Sequence, residues 1–142
     1  DRVGIRIEAA APAHRAAVMA LWQAAGLTPP WNDPACDFDM ALANPTSTVL
    51  LAWADDALAG SVMAGFDGHR GWVYYLAVAP ELARRGIGRA LMAAAEDWLR
   101  ELGCARLRLM VRGDNLAARG FYQAIGYDDQ DVVTLGRTLD PQ

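Results

Sequence analysis

Apolar and polar positions along this chain alternate with two periods, and each period predicts a kind of element. VGIRIEA alternates every second residue and predicts a first strand. A period near 3.6 opens at Pro12 and runs to about Ala25, with Val18, Leu21 and Trp22 on one face and Gly26 as its stop. LTPPWNDPACD carries three prolines and predicts an irregular loop. A short helix follows from Pro34 to Leu42, capped by Asp33. STVLLAWA and ALAGSVMAGFD, joined by Asp55-Asp56, predict a hairpin, and DGHRG turns the chain into a further strand, GWVYYLAVAP, which Pro80 stops. The strongest helical pattern is Gly86 to Leu102. It sets Ile87, Leu91, Ala94, Trp98 and Leu102 on one face and Arg89, Glu96, Asp97, Arg100 and Glu101 on the other, with Gly103 after its end. ARLRLMV predicts another strand, GDN caps a short helix to Ile125 that Gly126 ends, and QDVVTLGRTL predicts a last strand.

The order is strand, helix, helix, three strands, helix, strand, helix, strand. The two strands flanking the main helix form a β-α-β unit, so a parallel pair is expected inside an otherwise antiparallel sheet. With 142 residues and no linker or repeat, the chain is expected to form a single domain spanning 1–142.

Composition narrows the classes. Apolar residues make up 54% and charged residues 21%, a globular balance. A net charge of −4 leaves no basic surface for nucleic acid, and no apolar run reaches membrane-spanning length. DRVGIRIEAA lacks the layout of a signal peptide. The two cysteines, Cys36 and Cys104, fit no metal motif and no disulfide framework, so free thiols in a reducing cytoplasm are expected.

Against that acidic background, ARRGIGRALM concentrates arginine and glycine at the start of the main helix. A helix start exposes amides with no helical partner, worth roughly half a positive charge. Glycine at 86 and 88 lets a ligand approach this backbone, and Arg84, Arg85 and Arg89 can add charge-assisted bonds. Such a stretch suits a pyrophosphate; the plain alternative is a glycine turn beside a solvated arginine face. The Walker pattern is absent, and the dinucleotide fingerprint is incomplete because Leu91 stands where its third glycine would fall.

Two longer pieces carry more. YYLAVAPELARRGIGRALM and, later, NLAARGFYQAIGY resemble the cofactor-strand/pyrophosphate-loop motif and the N-x-x-A-x-x-[FL]-Y-x-x-x-G-[FY] motif of the GNAT superfamily of acyl-CoA-dependent N-acyltransferases. Asn115, Ala118, Phe121, Tyr122, Gly126 and Tyr127 all match the second. WNDP and DGHRGWVYYL are similar to the YpeA-like bacterial branch. The resemblance implies an α/β (α+β) fold with a mixed, mostly antiparallel sheet, a central parallel strand pair and helices on both faces. It implies acetyl-CoA as cosubstrate with no metal, and an amine acceptor, a small molecule or a protein amine, as the other partner. A homodimer is compatible with it; nucleic acid and membrane are not expected partners. In the loop pattern [QR]-x-x-G-x-[GA], Ala83 replaces the usual Gln/Arg, so Arg84 or Arg85 would supply that phosphate contact.

Carried over residue by residue, the resemblance implies that Leu76, Ala77 and Val78 offer backbone groups to the pantetheine arm and that an N–H near Leu76 polarises the thioester. Arg84, Arg85, Gly86, Ile87, Gly88, Arg89 and Ala90 would hold the pyrophosphate. Tyr122 would be the general acid toward the departing thiolate. Asn115 either bonds the CoA arm or caps its own helix. The base is less determined. At pH 7 about one α-amine in seven is neutral, against about one lysine amine in 2,500. The glutamate that some relatives carry five residues before the motif asparagine is Met110 here. Asp67 and Glu81, directly or through water, and His69 are candidates; for Asp67, capping the DGHRG turn is the stronger expectation. Trp31 and Asp33 are the expected acceptor contacts, with Trp22 as an apolar wall and Asp37, Asp39, Asp128, Asp129 and Asp131 adding a field suited to a cation. The alternative from another class is a non-catalytic acyl-CoA-binding or sensing domain on the same fold.

Overall fold

The computed structural model describes residues 4–140. The chain falls into two compact units, one up to Met110 and one from Val111.

The first unit is a five-stranded sheet in the order β1-β2-β3-β4-β5: Ile5–Ala9, Ser47–Ala54, Ala57–Phe66, Gly71–Val78 and Leu107–Leu109. Val3, expected to open the first strand, lies outside the described residues. The first three pairings are antiparallel and β4-β5 is parallel, as the β-α-β pattern predicted. The parallel pair stands at one end of the ladder and not at its centre, because no strand forms beyond β5 among the described residues.

Three helices clothe this sheet. A 3-10 turn at Pro12–His14 leads into α1, Arg15–Ala24; α2 is Pro34–Ala43, with Pro34 in its first turn and the Asp33 side chain accepting from the Cys36 amide at 3.1 Å. Consecutive residues of β3 show that the helices lie on opposite faces. Ser61 hydrogen-bonds Trp22 of α1, whereas Gly60 faces the third helix, α3, Ile87–Glu101. On the first face Val18, Leu21 and Trp22 meet Phe38 and Ala41 of α2 over Val49, Leu51 and Ala77. On the other, Gly60 allows α3 to approach closely. A Cβ there would lie 2.7 Å from the Ala77 carbonyl oxygen, 2.9 Å from Leu91 and 3.0 Å from Ile87.

The buried stripe of α3 is Ile87, Leu91, Met92, Ala95 and Leu99, not the expected Ile87, Leu91, Ala94, Trp98 and Leu102. Steps of four residues keep the seam under the helix axis, while Trp98 is only half-buried and Leu102 is exposed. Each large side chain of this stripe contributes about 1.5–3 kcal/mol by leaving water.

The second unit contains α4, Leu116–Ala124, whose start is capped by the Asn115 side chain accepting from the Ala118 amide at 3.1 Å. The strand expected at QDVVTLGRTL is not formed. Val133 and Leu135 are 87% and 91% exposed, and among the described residues no ladder partner is present; an alternating pattern alone makes no strand without a neighbour to bond. No described helix is long and apolar enough to cross a membrane.

Candidate active site

Two features of the first unit carry chemistry, and both lie where β4 leads into α3. The first is the start of α3. Arg84 and Gly86 have positive φ, 65° and 80°, and Gly86 is the residue immediately before the helix. Left-handed residues running into right-handed helix turn successive amides toward one side, the geometry of an anion nest. No side chain caps this start, no acid stands in its first turn, and the space beside Gly86 is open for 4 Å around a Cβ position. Arg84, Arg85 and Arg89 are exposed around it. The first helical bond is Ala90 N–H to the Gly86 carbonyl, so the amides ahead of Ala90 are not used by helical bonding. This arrangement fits a diphosphate.

The second is a bulge in β4. Ser61 pairs with Ala77 but Met63 pairs with Tyr74, so Tyr75 and Leu76 stand against the single residue Val62. The insertion changes the parity of the strand and brings Tyr74 and Ala77 to the same face. Tyr75 has φ 52°, rare for an aromatic residue. On its other side, β4 pairs with β5 only over Gly71–Val73, so Leu76, Ala77 and Val78 form an open edge toward that side. An extended arm with amide groups can add along such an edge. Ile87 lies over Gly60, which pairs with Val78, so the edge and the nest share one end of the unit.

Around Tyr75 the sequence reading is corrected and extended. Trp22 is fully buried, not an open acceptor wall; its ring stacks on Tyr75 with centroids 3.9 Å apart and planes 8° off parallel. Its indole N–H donates to Ser61 Oγ at 2.8 Å, and Ser61 Oγ donates to the Tyr75 carbonyl at 3.4 Å. The Tyr75 hydroxyl donates to Asp37 Oδ2 at 2.7 Å. Burial, then the Asp37 carboxylate, pushes the phenol well above its ordinary range, and it stays protonated. The loop between α1 and α2 reaches this tyrosine, since Asn32 and Asp33 also act on it. Asp39 is engaged elsewhere, in a two-point pair with Arg15 at 3.1 Å. Trp31 is 79% exposed.

Asp67 serves the turn. Its Oδ1 accepts from the amides of His69 and Arg70, both at 2.8 Å, and these bonds hold its carboxyl below the usual range. A carboxylate stabilised in this way is a weaker base, which works against the base role expected of it. Glu81 is exposed in the 3-10 turn Pro80–Leu82.

Within the second unit, Asn115 takes the capping alternative at α4. The Tyr122 ring packs edge-on to Phe121 and Tyr127, with centroids 5.0 and 5.9 Å away, and burial raises its phenol above the ordinary range. The sequence pattern had not shown the Tyr75 knot; the adjacent pair Tyr74-Tyr75 in an apolar strand was its only signal.

The family model described as "Acetyltransferase (GNAT) family" matches residues 17–127. The chain belongs to that family. Its membership makes it an acetyltransferase with acetyl-CoA as donor. Curated relatives agree: an acetyltransferase of Pectobacterium atrosepticum is 43% identical over 123 residues, covering 87% of each chain. One of Yersinia enterocolitica is 43% identical over 122 residues, covering 86% of each. The fold is shared with a solved aminoglycoside acetyltransferase, AAC(6')-Iy, in complex with a bisubstrate analogue of CoA (TM-score 0.83, 20% identity, 95% and 98% of the two chains). It is shared too with the ribosomal-protein-S18-alanine N-acetyltransferase of Escherichia coli (TM-score 0.75, 24% identity, 87% and 77%).

Proposed function

We propose that this GNAT protein moves the acetyl group of acetyl-CoA to a primary amine by direct attack. The observation that carries the reading is the uncapped, acid-free start of α3 beside the open edge of a bulged β4. Arg84, Arg85 and the amides from Gly86 to Ala90 hold the diphosphate, and Leu76, Ala77 and Val78 receive the pantetheine amides. Acetyl-CoA supplies a thioester carbonyl open to a nucleophile. The amine nitrogen forms the C–N bond as the C–S bond breaks. The Leu76 N–H stabilises charge on the carbonyl oxygen, Tyr122 gives its proton to the thiolate sulfur, and the proton shed by the neutral amine nitrogen passes to water, from which Tyr122 is reprotonated. The matched motif supports the Tyr122 role, and the raised phenol keeps the proton on Tyr122 across the neutral range.

The family match runs through both units, which supports one acyltransferase domain over the whole chain. Asp33 and Trp31 are proposed acceptor contacts, and a cationic amine suits the acidic loop before α2. The names of the aminoglycoside-acetylating neighbours point the same way. Two free thiols suit a reducing cytoplasm.

The test is free-thiol release from acetyl-CoA across a panel of polyamines, aminoglycosides and peptide N-termini. Amine-dependent CoA release is expected. Binding of acetyl-CoA without turnover of any amine would instead make the chain a sensor. Tyr122→Phe should lower kcat by about 10²-fold while acetyl-CoA affinity holds, and an unchanged rate removes Tyr122 from the mechanism.

A further inference from the structure

The φ of 52° at Tyr75 costs an L-residue about 1–2 kcal/mol, and such a conformation persists only where its surroundings over-determine it. Three elements do so here: α1 through the Trp22 ring, β3 through Ser61, and α2 through Asp37. Ser61 is the buried polar residue of the unit's core, and both of its bonds serve this point: one fixes the indole that supports the ring, the other reaches the Tyr75 carbonyl. The Asp37 bond is short and charge-assisted. The carbonyl held by Ser61 belongs to the same peptide unit as the Leu76 N–H, so fixing the one orients the other.

We propose that Tyr75 is a positioning residue of the acetyltransferase, its side chain clamped by Trp22 and Asp37 so that the β4 bulge presents the Leu76 N–H to the acetyl carbonyl. This rests on the acyl-transfer reading above. A bulge with no such clamp can relax or shift its extra residue along the strand, since pairing on the β3 side alone does not say which β4 residue stands out. The peptide plane between Tyr75 and Leu76 would then turn while the diphosphate nest, held by backbone at α3, stays as it is. Loss of the clamp therefore separates turnover from cofactor affinity.

The experiment uses acetyl-CoA labelled with carbon-13 at the acetyl carbonyl, bound to the full chain and to Tyr75→Leu, Tyr75→Phe and Asp37→Asn. In the wild type the bound carbonyl resonance should shift from its free position, as a carbonyl accepting a hydrogen bond does. Tyr75→Leu should return it toward the free position and lower kcat by about tenfold or more, with acetyl-CoA Kd within about twofold. Tyr75→Phe and Asp37→Asn keep the ring stack and should fall between, and they carry the test if Tyr75→Leu fails to fold. A merely structural role would lower Tm in all three yet leave the resonance and the rate per folded molecule unchanged, and that result overturns the proposal. A wild type that binds no acetyl-CoA overturns the proposed function and this inference with it. A wild type with a shifted carbonyl and variants identical to it overturns the inference alone.

Discussion

Gly86 and Tyr75 both hold the left-handed backbone that this end of the first unit requires, and they do it in opposite ways. Gly86, with φ 80°, has nothing near its Cβ position and needs no support, because glycine meets no steric penalty there. Tyr75, with φ 52°, bears the strain of a bulky residue and is tied by an indole, a serine hydroxyl and a carboxylate. The proposed roles account for the difference. A diphosphate at the nest would need bare backbone at Gly86, with the arginines around it rather than over it. An acetyl carbonyl at the bulge would need one peptide plane held in one orientation, which the clamp supplies.

Substitutions can break that comparison. The largest effect is expected from Gly88→Glu, which puts bulk and negative charge in the first turn of α3. Acetyl-CoA affinity should fall more than 100-fold, roughly 3 kcal/mol, by calorimetry with folding intact. Normal binding by a folded variant would mean the nest is not the diphosphate site. Next is Gly60→Ala, whose Cβ would press on the Ala77 carbonyl and on Leu91 and Ile87. It should cost about 1–3 kcal/mol in urea unfolding and weaken acetyl-CoA binding by displacing the start of α3. Gly86→Ala sharpens the contrast. With open space around the new methyl group, only the backbone penalty remains, about 1–2 kcal/mol. Relief of the same kind at the other position, Tyr75→Gly, should still destabilise, because the stack and the Asp37 bond are lost with the strain. A more stable Tyr75→Gly would show that the clamp is weaker than the strain it opposes.

The smallest effect is in pH. Burial raises the phenols of Tyr122 and, with the Asp37 charge, Tyr75. The folded state therefore binds those protons more tightly than the unfolded chain. Their contribution is complete below the unfolded phenol value near 10 and is lost as pH rises through the folded values. Unfolding free energy should decline above about pH 10, and Tyr75→Phe should flatten the decline. Asp67 runs the other way, its turn weakening as pH falls below the carboxylate range, read as earlier loosening of the His69 and Arg70 amides in hydrogen exchange.

Much of the fold was legible in the chain. The strands, the Asp55-Asp56 hairpin, the Asp33 cap and the parallel β4-β5 pair follow from period, turn residues and β-α-β order, which are local or topological signals. The mouth of α3 was legible for the same reason: exposed amides and glycines belong to a helix start wherever it occurs. Two of the expectations that failed concerned partners distant in sequence. QDVVTLGRTL alternates like a strand, but pairing depends on a neighbour its own residues do not specify. Trp22 fits an apolar wall by composition, yet its burial is decided by Tyr75 and Ser61, 53 and 39 residues away along the chain. Asp67, by contrast, was legible as a turn cap, because the amides it accepts from stand two and three residues on.

The sequence by itself determined where backbone would be bare and where helices and strands would begin, because those choices are made by residues within a turn of one another. Only the tertiary structure decided the bulge and what clamps it. A one-residue insertion in the apolar run GWVYYLAVAP leaves no mark on the hydrophobic pattern. Its place is settled when α1, α2 and β3 close on a single tyrosine.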